Sequence, residues 1–251
     1  MGETSTFLLL TAAATLAISG MLLCNRAVVR ARTFARGFYF LSVALSLAAL
    51  ALVLAGTFGL PEGPAHSRLL RILLFRGWIV VGVGISTTLL LALSASARVR
   101  VLASDALRAF LTSAYVVRGL CFSVSISFFC TEIGKLAHDA EMRQFFLQSG
   151  YAVWFMYFIM AAETAGAIGL FVPRMRLPAA LGLIAVMAGA IATHARNHDP
   201  FSDSLEALHL LILLGCIVVI GLLRRTIAFR LAKDGREEPA LNWPERSGTH
   251  S

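Results

Sequence analysis

Long apolar runs, broken by short clusters of arginine, histidine and acid, occupy almost the whole of this chain. A helix rises about 1.5 Å per residue and the hydrocarbon core of a bilayer is about 30 Å thick, so about 20 apolar residues span it. Seven runs approach or reach that length, at roughly 5–24, 37–60, 72–95, 109–131, 151–171, 178–195 and 205–223. The last two are short but follow Pro178 and Pro200, which suit helix entries. The links between runs are too brief for an inserted soluble domain, and no internal repeat is visible. The pattern predicts an all-α integral membrane protein with seven transmembrane helices, crossing its membrane many times.

Composition agrees. Of the 251 residues, 58% are hydrophobic and 14% charged, with mean hydropathy +0.78. Globular chains run about 45–50% apolar and about 25% charged. These values exclude a disordered chain, a disulfide-rich scaffold and an ordinary soluble enzyme. Cys24, Cys121, Cys130 and Cys216 lie far apart without a C-x-x-C pair, so no zinc, iron–sulfur or dithiol motif is present.

The net charge of +8 invites a nucleic-acid reading until the basic residues are placed. With the N-terminus outside, the inner segments hold Arg26, Arg30, Arg32, Arg36, Arg98, Arg100, Arg108, Arg174 and Arg176. The tail adds Arg224, Arg225, Arg230, Lys233, Arg236 and Arg246. Only Arg68, Arg71, Lys135, Arg143 and Arg196 fall outside. Short cytoplasmic loops retain Lys and Arg, so fifteen against five predicts N-terminus outside and C-terminus cytoplasmic, in the cytoplasmic (inner) membrane. The expected partner is then the lipid bilayer, together with a membrane-protein partner or oligomer, and not nucleic acid. The opening MGETSTF carries Glu3 and no basic residue, which argues against a cleaved signal peptide.

Two basic residues remain inside runs, Arg76 and Arg118. Arg76 is near enough to a run end to snorkel. Arg118 falls near the middle of the 109–131 run, and Glu163 at a similar depth in the 151–171 run. An isolated charge there costs several kcal/mol on insertion scales, about 2.5–3.5. Pairing Arg118 with Glu163 is the expected relief, either as a structural ion pair or as the lining of a polar ligand pocket. Arg118, Cys121, Ser125 and Glu132 share one helical face, which makes Arg118, Glu163, Cys121 and Ser125 the candidate cofactor-binding set. Ala162/Gly166, Ala165/Gly169, Ala185/Gly189 and Ala188/Ala192 form small-xxx-small pairs that permit close helix packing.

A second polar group lies in the segment HARNHDPFSDSLEALH. His194, His198, Glu206 and His209 are its candidate metal ligands, since imidazole and carboxylate suit first-row metals. The bland alternative is a solvated external loop; bis-histidine haem ligation by His194 and His209 is a weaker one. The 205–223 run has no lysine, so no retinal Schiff base forms there.

From about Arg118 to Leu223 the chain resembles the DoxX family of four-helix membrane proteins. The resemblance rests on Arg118-Gly119, Gly134-Lys135-Leu136, Phe146, Gly150, Glu163, Gly166, Gly169, Arg176, His194 and Glu206, in that order. It divides the chain into a three-helix N-terminal region (1–106), a DoxX-like four-helix domain (107–223) and a basic tail (224–251). Glu132 departs from the small residue usual before that lysine, and the three N-terminal helices are extra. The family includes the membrane subunit of a thiosulfate:quinone oxidoreductase. The resemblance therefore implies a membrane subunit of a redox system, with quinone as cofactor and a small external donor of the thiosulfate type. Glu163, Arg118 and His194 are its candidate catalytic residues. The alternatives are a non-catalytic structural or assembly subunit of a larger membrane complex and a small-solute transporter.

Overall fold

The computed structural model describes residues 27–59 and 97–234, with single positions at 67, 69, 70 and 73. The apolar run at 5–24, nearly all of that at 72–95, with Arg76, and the tail beyond 234 lie outside the described residues. Among the described residues all regular structure is helical. The helices are α1 (Ala27–Thr57), α2 (Ala97–Leu111), α3 (Ala114–Ala137), α4 (Asp139–Gln148), α5 (Val153–Phe171), α6 (Arg176–Asn197) and α7 (Phe201–Asp234).

Five of these, α1, α3, α5, α6 and α7, are long and apolar enough to cross a bilayer, with spans of 19–27 residues. They coincide with five of the seven runs, and the chain is a multi-pass α-helical membrane protein. α2 and α4 are shorter and mixed in character, ARVRVLASDALRAFL and DAEMRQFFLQ. Apolar length alone revealed neither as a separate element.

The fourth run shifts along the sequence. Its start at 109–111 belongs to α2, and α3 begins only at Ala114, where the Ser113 side chain accepts a hydrogen bond from the Tyr115 backbone N–H. An N-cap of this kind satisfies a backbone donor that would otherwise be orphaned. At the other end α3 runs through Glu132 and Lys135 to Ala137, six residues beyond the apolar run.

α3 is the central helix: 72% of its span is buried, against 17–39% for the other four. Its Val117, Leu120, Val124 and Phe128 join Leu170 of α5, Leu183 and Met187 of α6, and Leu210, Leu214 and Ile217 of α7 in one core. α1 buries Ala35, Phe38, Ser42, Ser46 and Ala49, spaced three or four apart and so on one face. That helix packs mainly on α3 and also on α2. A Cβ on Gly119 would stand 3.0 Å from the Phe38 ring and 3.3 Å from the Tyr39 Cα, so the α1–α3 approach needs glycine there.

Hydrogen bonds fix the directions. Lys135 meets Glu163, and Ser125 Oγ donates to the Ala167 carbonyl at 2.8 Å, so α3 and α5 are antiparallel. Residues 172–175 turn α5 into α6, and residues 198–200 turn α6 into α7. The bundle therefore has a His194 end, where α3 and α6 finish, and an Arg176 end, where they start. α4 lies at the His194 end. Tyr157 on α5 donates to Asp139 at 2.8 Å, and Arg143 pairs with Asp139 at 2.6 Å. The hydrogen bond from Arg143 holds the Asp139 carboxyl below its ordinary range. Gly150 closes α4 at φ +79°, a region open to glycine at little cost.

Candidate functional site

One turn before its end, α3 presents Glu132 and Lys135, three residues apart on one face. Long side chains on a helix lean towards its N-terminus, which aims the lysine down into the bundle. Its Nζ donates to Glu132 Oε1 at 2.8 Å and to Glu163 Oε2 of α5 at 2.5 Å. Both carboxylates are buried, at 6% and 3% exposure, and each lies within reach of the other. Two carboxylates against one ammonium give the cluster a formal charge of −1 when all three are ionised. Among the described residues no donor satisfies the buried Glu132 Oε2, and the Glu163 carboxyl stands beside it. The cluster thus has room for one more proton, either on that oxygen or donated to it by a ligand.

This arrangement corrects the expected Arg118–Glu163 pair. Arg118 is the fifth residue of α3, at the Arg176 end, and is exposed. Fourteen residues separate Cys121 from Lys135 along α3, about 21 Å of helix, and Cys121 lies beside Arg176. Ser125 is buried with its hydroxyl committed to the Ala167 carbonyl. The set Arg118, Cys121, Ser125 and Glu163 is therefore not one pocket. Glu163 is the only member in the cluster, and sequence reasoning missed its two partners. The sequence placed Glu132 on the same helical face as Arg118 and counted Lys135 among the external basic residues, without bringing either to Glu163; the i, i+3 Glu–Lys spacing was the signal that the two act together at the end of one helix.

The four proposed metal ligands do not converge on one point either. His194 Nδ1 lies 2.8 Å from Asp199 Oδ2, and its ring packs 5.5 Å from that of Phe145. Glu206 Oε1 accepts from Thr131 of α3 at 2.9 Å. His209 is buried on α7. His198 is exposed and forms the left-handed C-cap of α6 at φ 59°. Among the described residues no three His, Cys, Asp or Glu side chains converge as a metal site. The reason is local: a left-handed cap turns the chain abruptly, so His194 and His198 do not share a helix face. Because that conformation disfavours residues with a Cβ, His198→Gly is expected to stabilise the protein by about 0.5–1 kcal/mol. Thermal unfolding in detergent checks this, and a lowered midpoint counts against it.

Further polar contacts at this end tie α6 to the turn between α4 and α5. Tyr151 meets Thr193 at 3.1 Å, Arg196 stacks over the Tyr151 ring at 4.9 Å and bonds the Ser149 carbonyl, and Asn197 donates to Ser149 Oγ at 2.7 Å. Trp154 is 69% exposed, as an aromatic at a membrane boundary is.

The fold and site together define a class: a multi-pass helical membrane protein whose central helix carries a buried two-carboxylate, one-ammonium cluster. Residues 119–219, the C-terminal part of the chain, match the family model of the DoxX-like family. That stretch contains Glu132, Lys135, Glu163 and His194. No curated protein and no solved structure matches the chain.

Proposed function

We propose that the protein is the membrane subunit of a redox system that couples oxidation of a small external donor, of the thiosulfate type, to reduction of a quinone. In this reading the chain crosses the cytoplasmic membrane seven times with its N-terminus outside, following the distribution of its arginines. The His194 end then faces outward and the Arg176 end faces the cytoplasm.

The observation that supports this reading is the cluster at Lys135. A quinone takes up two electrons and two protons in becoming quinol, so its site needs groups that hold and release protons within the membrane. Glu132 and Glu163 supply two carboxyls, and a proton carried on Glu132 Oε2, which no donor among the described residues satisfies, is the one a quinone oxygen would accept. Lys135 holds the charge of one carboxylate in place while the other exchanges its proton. His194, oriented by Asp199, stands on the donor side. The exposed apolar faces of α5 and α6, with Trp154, Ile168 and Leu181, are the surfaces the bundle offers to lipid or to a membrane partner.

Glu132→Gln and Glu163→Gln keep the shape of each side chain and remove its proton exchange. Each is expected to lower donor-dependent quinone reduction in membranes about tenfold to a hundredfold or more, the usual range for losing a proton-transfer group. Organic extraction of the purified wild-type protein should yield bound quinone. Undiminished reduction in both variants would sink the redox reading. Co-purification of a stable membrane partner with full activity of that complex would then identify an assembly subunit instead.

A further inference from the structure

At the Arg176 end, α3, α6 and α7 enclose a cavity of about 290 Å³ beneath the α5–α6 turn. Its inner wall is apolar, formed by Val117, Leu177 and Ile217, while Arg176, Arg224 and Arg225 line its polar side. Arg176 is anchored by its Nε, which donates to the Leu170 carbonyl at 3.1 Å. Arg118 and Arg176 both lie within electrostatic range of Arg224. Among the described residues the ion pairs belong to Lys135, Arg143 and His194, so no carboxylate of the described residues pairs with these four arginines.

Guanidinium groups held together around a half-enclosed space repel one another unless an anion sits among them. Their planar fork matches the oxygens of a phosphate, which accepts two parallel N–H bonds from each. The depth also matters. α7 is apolar from Leu210 through Leu223 and turns basic at Arg224-Arg225, near the end of its apolar span, the level at which a bilayer's hydrocarbon gives way to headgroups. Basic pockets between membrane helices at that level suit anionic headgroups, and the apolar wall suits the glycerol and first acyl carbons.

We propose that this cavity binds the phosphate of an anionic phospholipid, with Arg176, Arg224 and Arg225 as its ligands. The site lies at the opposite end of the bundle from Lys135 and does not depend on the redox reading. The full-length protein in detergent is incubated with phosphatidylglycerol or with phosphatidylcholine and analysed by native mass spectrometry. A parallel sample is titrated with inorganic phosphate and followed by thermal unfolding. The wild type should retain phosphatidylglycerol in clear preference to phosphatidylcholine. Arg224→Gln combined with Arg225→Gln should weaken retention about thirtyfold, on the order of fivefold per arginine lost. Gly221→Leu leaves every charge in place and adds bulk at a lining position where a Cβ meets no neighbour; it should also reduce retention. Equal retention of the two lipids, or unchanged retention in both variants, overturns the proposal. Stabilisation by inorganic phosphate without retention of phosphatidylglycerol overturns the lipid source and assigns the cavity to a soluble anion.

Discussion

Lys135→Met is expected to lower the stability of the purified protein by about 3–5 kcal/mol, the loss that follows removal of one partner from a buried ion pair. Among the described residues the lysine is the sole cation within hydrogen-bonding distance of the two buried carboxylates, at 2.8 Å and 2.5 Å. Without it Glu132 and Glu163 face each other with no counter-charge, in a place where neither has water to turn to. A variant that neutralises all three, Glu132→Gln with Lys135→Met and Glu163→Gln, should recover most of that loss, since a buried ionic group replaced as a unit leaves no orphan charge. Denaturant titration in detergent micelles compares the three proteins. A Lys135→Met protein with the wild-type midpoint would mean that the cluster does not hold α3 to α5.

Gly169→Ala is expected to cost about 1–3 kcal/mol, the usual range for overpacking a filled interface. An added Cβ would stand 2.8 Å from the Ala179 Cβ, which has no rotamer through which to retreat, so α5 and α6 must move apart. Gly166→Ala meets Leu183 at 2.6 Å, and Leu183 is itself almost wholly buried. Combining Gly166→Ala with Leu183→Ala opens the needed space, so the pair should cost less than the sum of the two single changes by about 1 kcal/mol or more. Gly182 and Gly189 provide the control, because a Cβ at either meets nothing within 4 Å. Alanine there should be neutral or slightly stabilising. A Gly169→Ala protein as stable as the Gly189→Ala protein would disprove close α5–α6 contact at that point.

The small-xxx-small pairs mark both what the sequence showed and where it stopped. Gly166 and Gly169 on α5 do set a close helix approach, whereas Gly189 on α6, which has the same spacing signature, faces open space. Spacing says that two residues share a face; it does not say whether a neighbouring helix comes to that face. Gly119 shows the reverse case. It was noted only as a point of resemblance, yet it sets how closely α1 approaches α3 through the Phe38 ring. Its signal lies in a partner about eighty residues earlier in the chain, and no local pattern carries it.

The sequence by itself determined the class, the helical content and five of the apolar helices among the described residues. It could do so because spanning a bilayer is a demand on one contiguous stretch, met by length and hydropathy alone. It also drew attention to Glu163, since a carboxylate at that depth stands out in any apolar run. Only the tertiary structure decided what Glu163 pairs with. Ser113 capped α3 later than the apolar run began, which placed Arg118 at the helix mouth, and the same helix ran past its apolar limit to bring Glu132 and Lys135 into the bundle. A buried charge is satisfied by whichever opposite charge the packed helices bring within about 3 Å. Helix ends and helix neighbours set that distance, and both follow from caps and packing contacts between residues far apart in the chain.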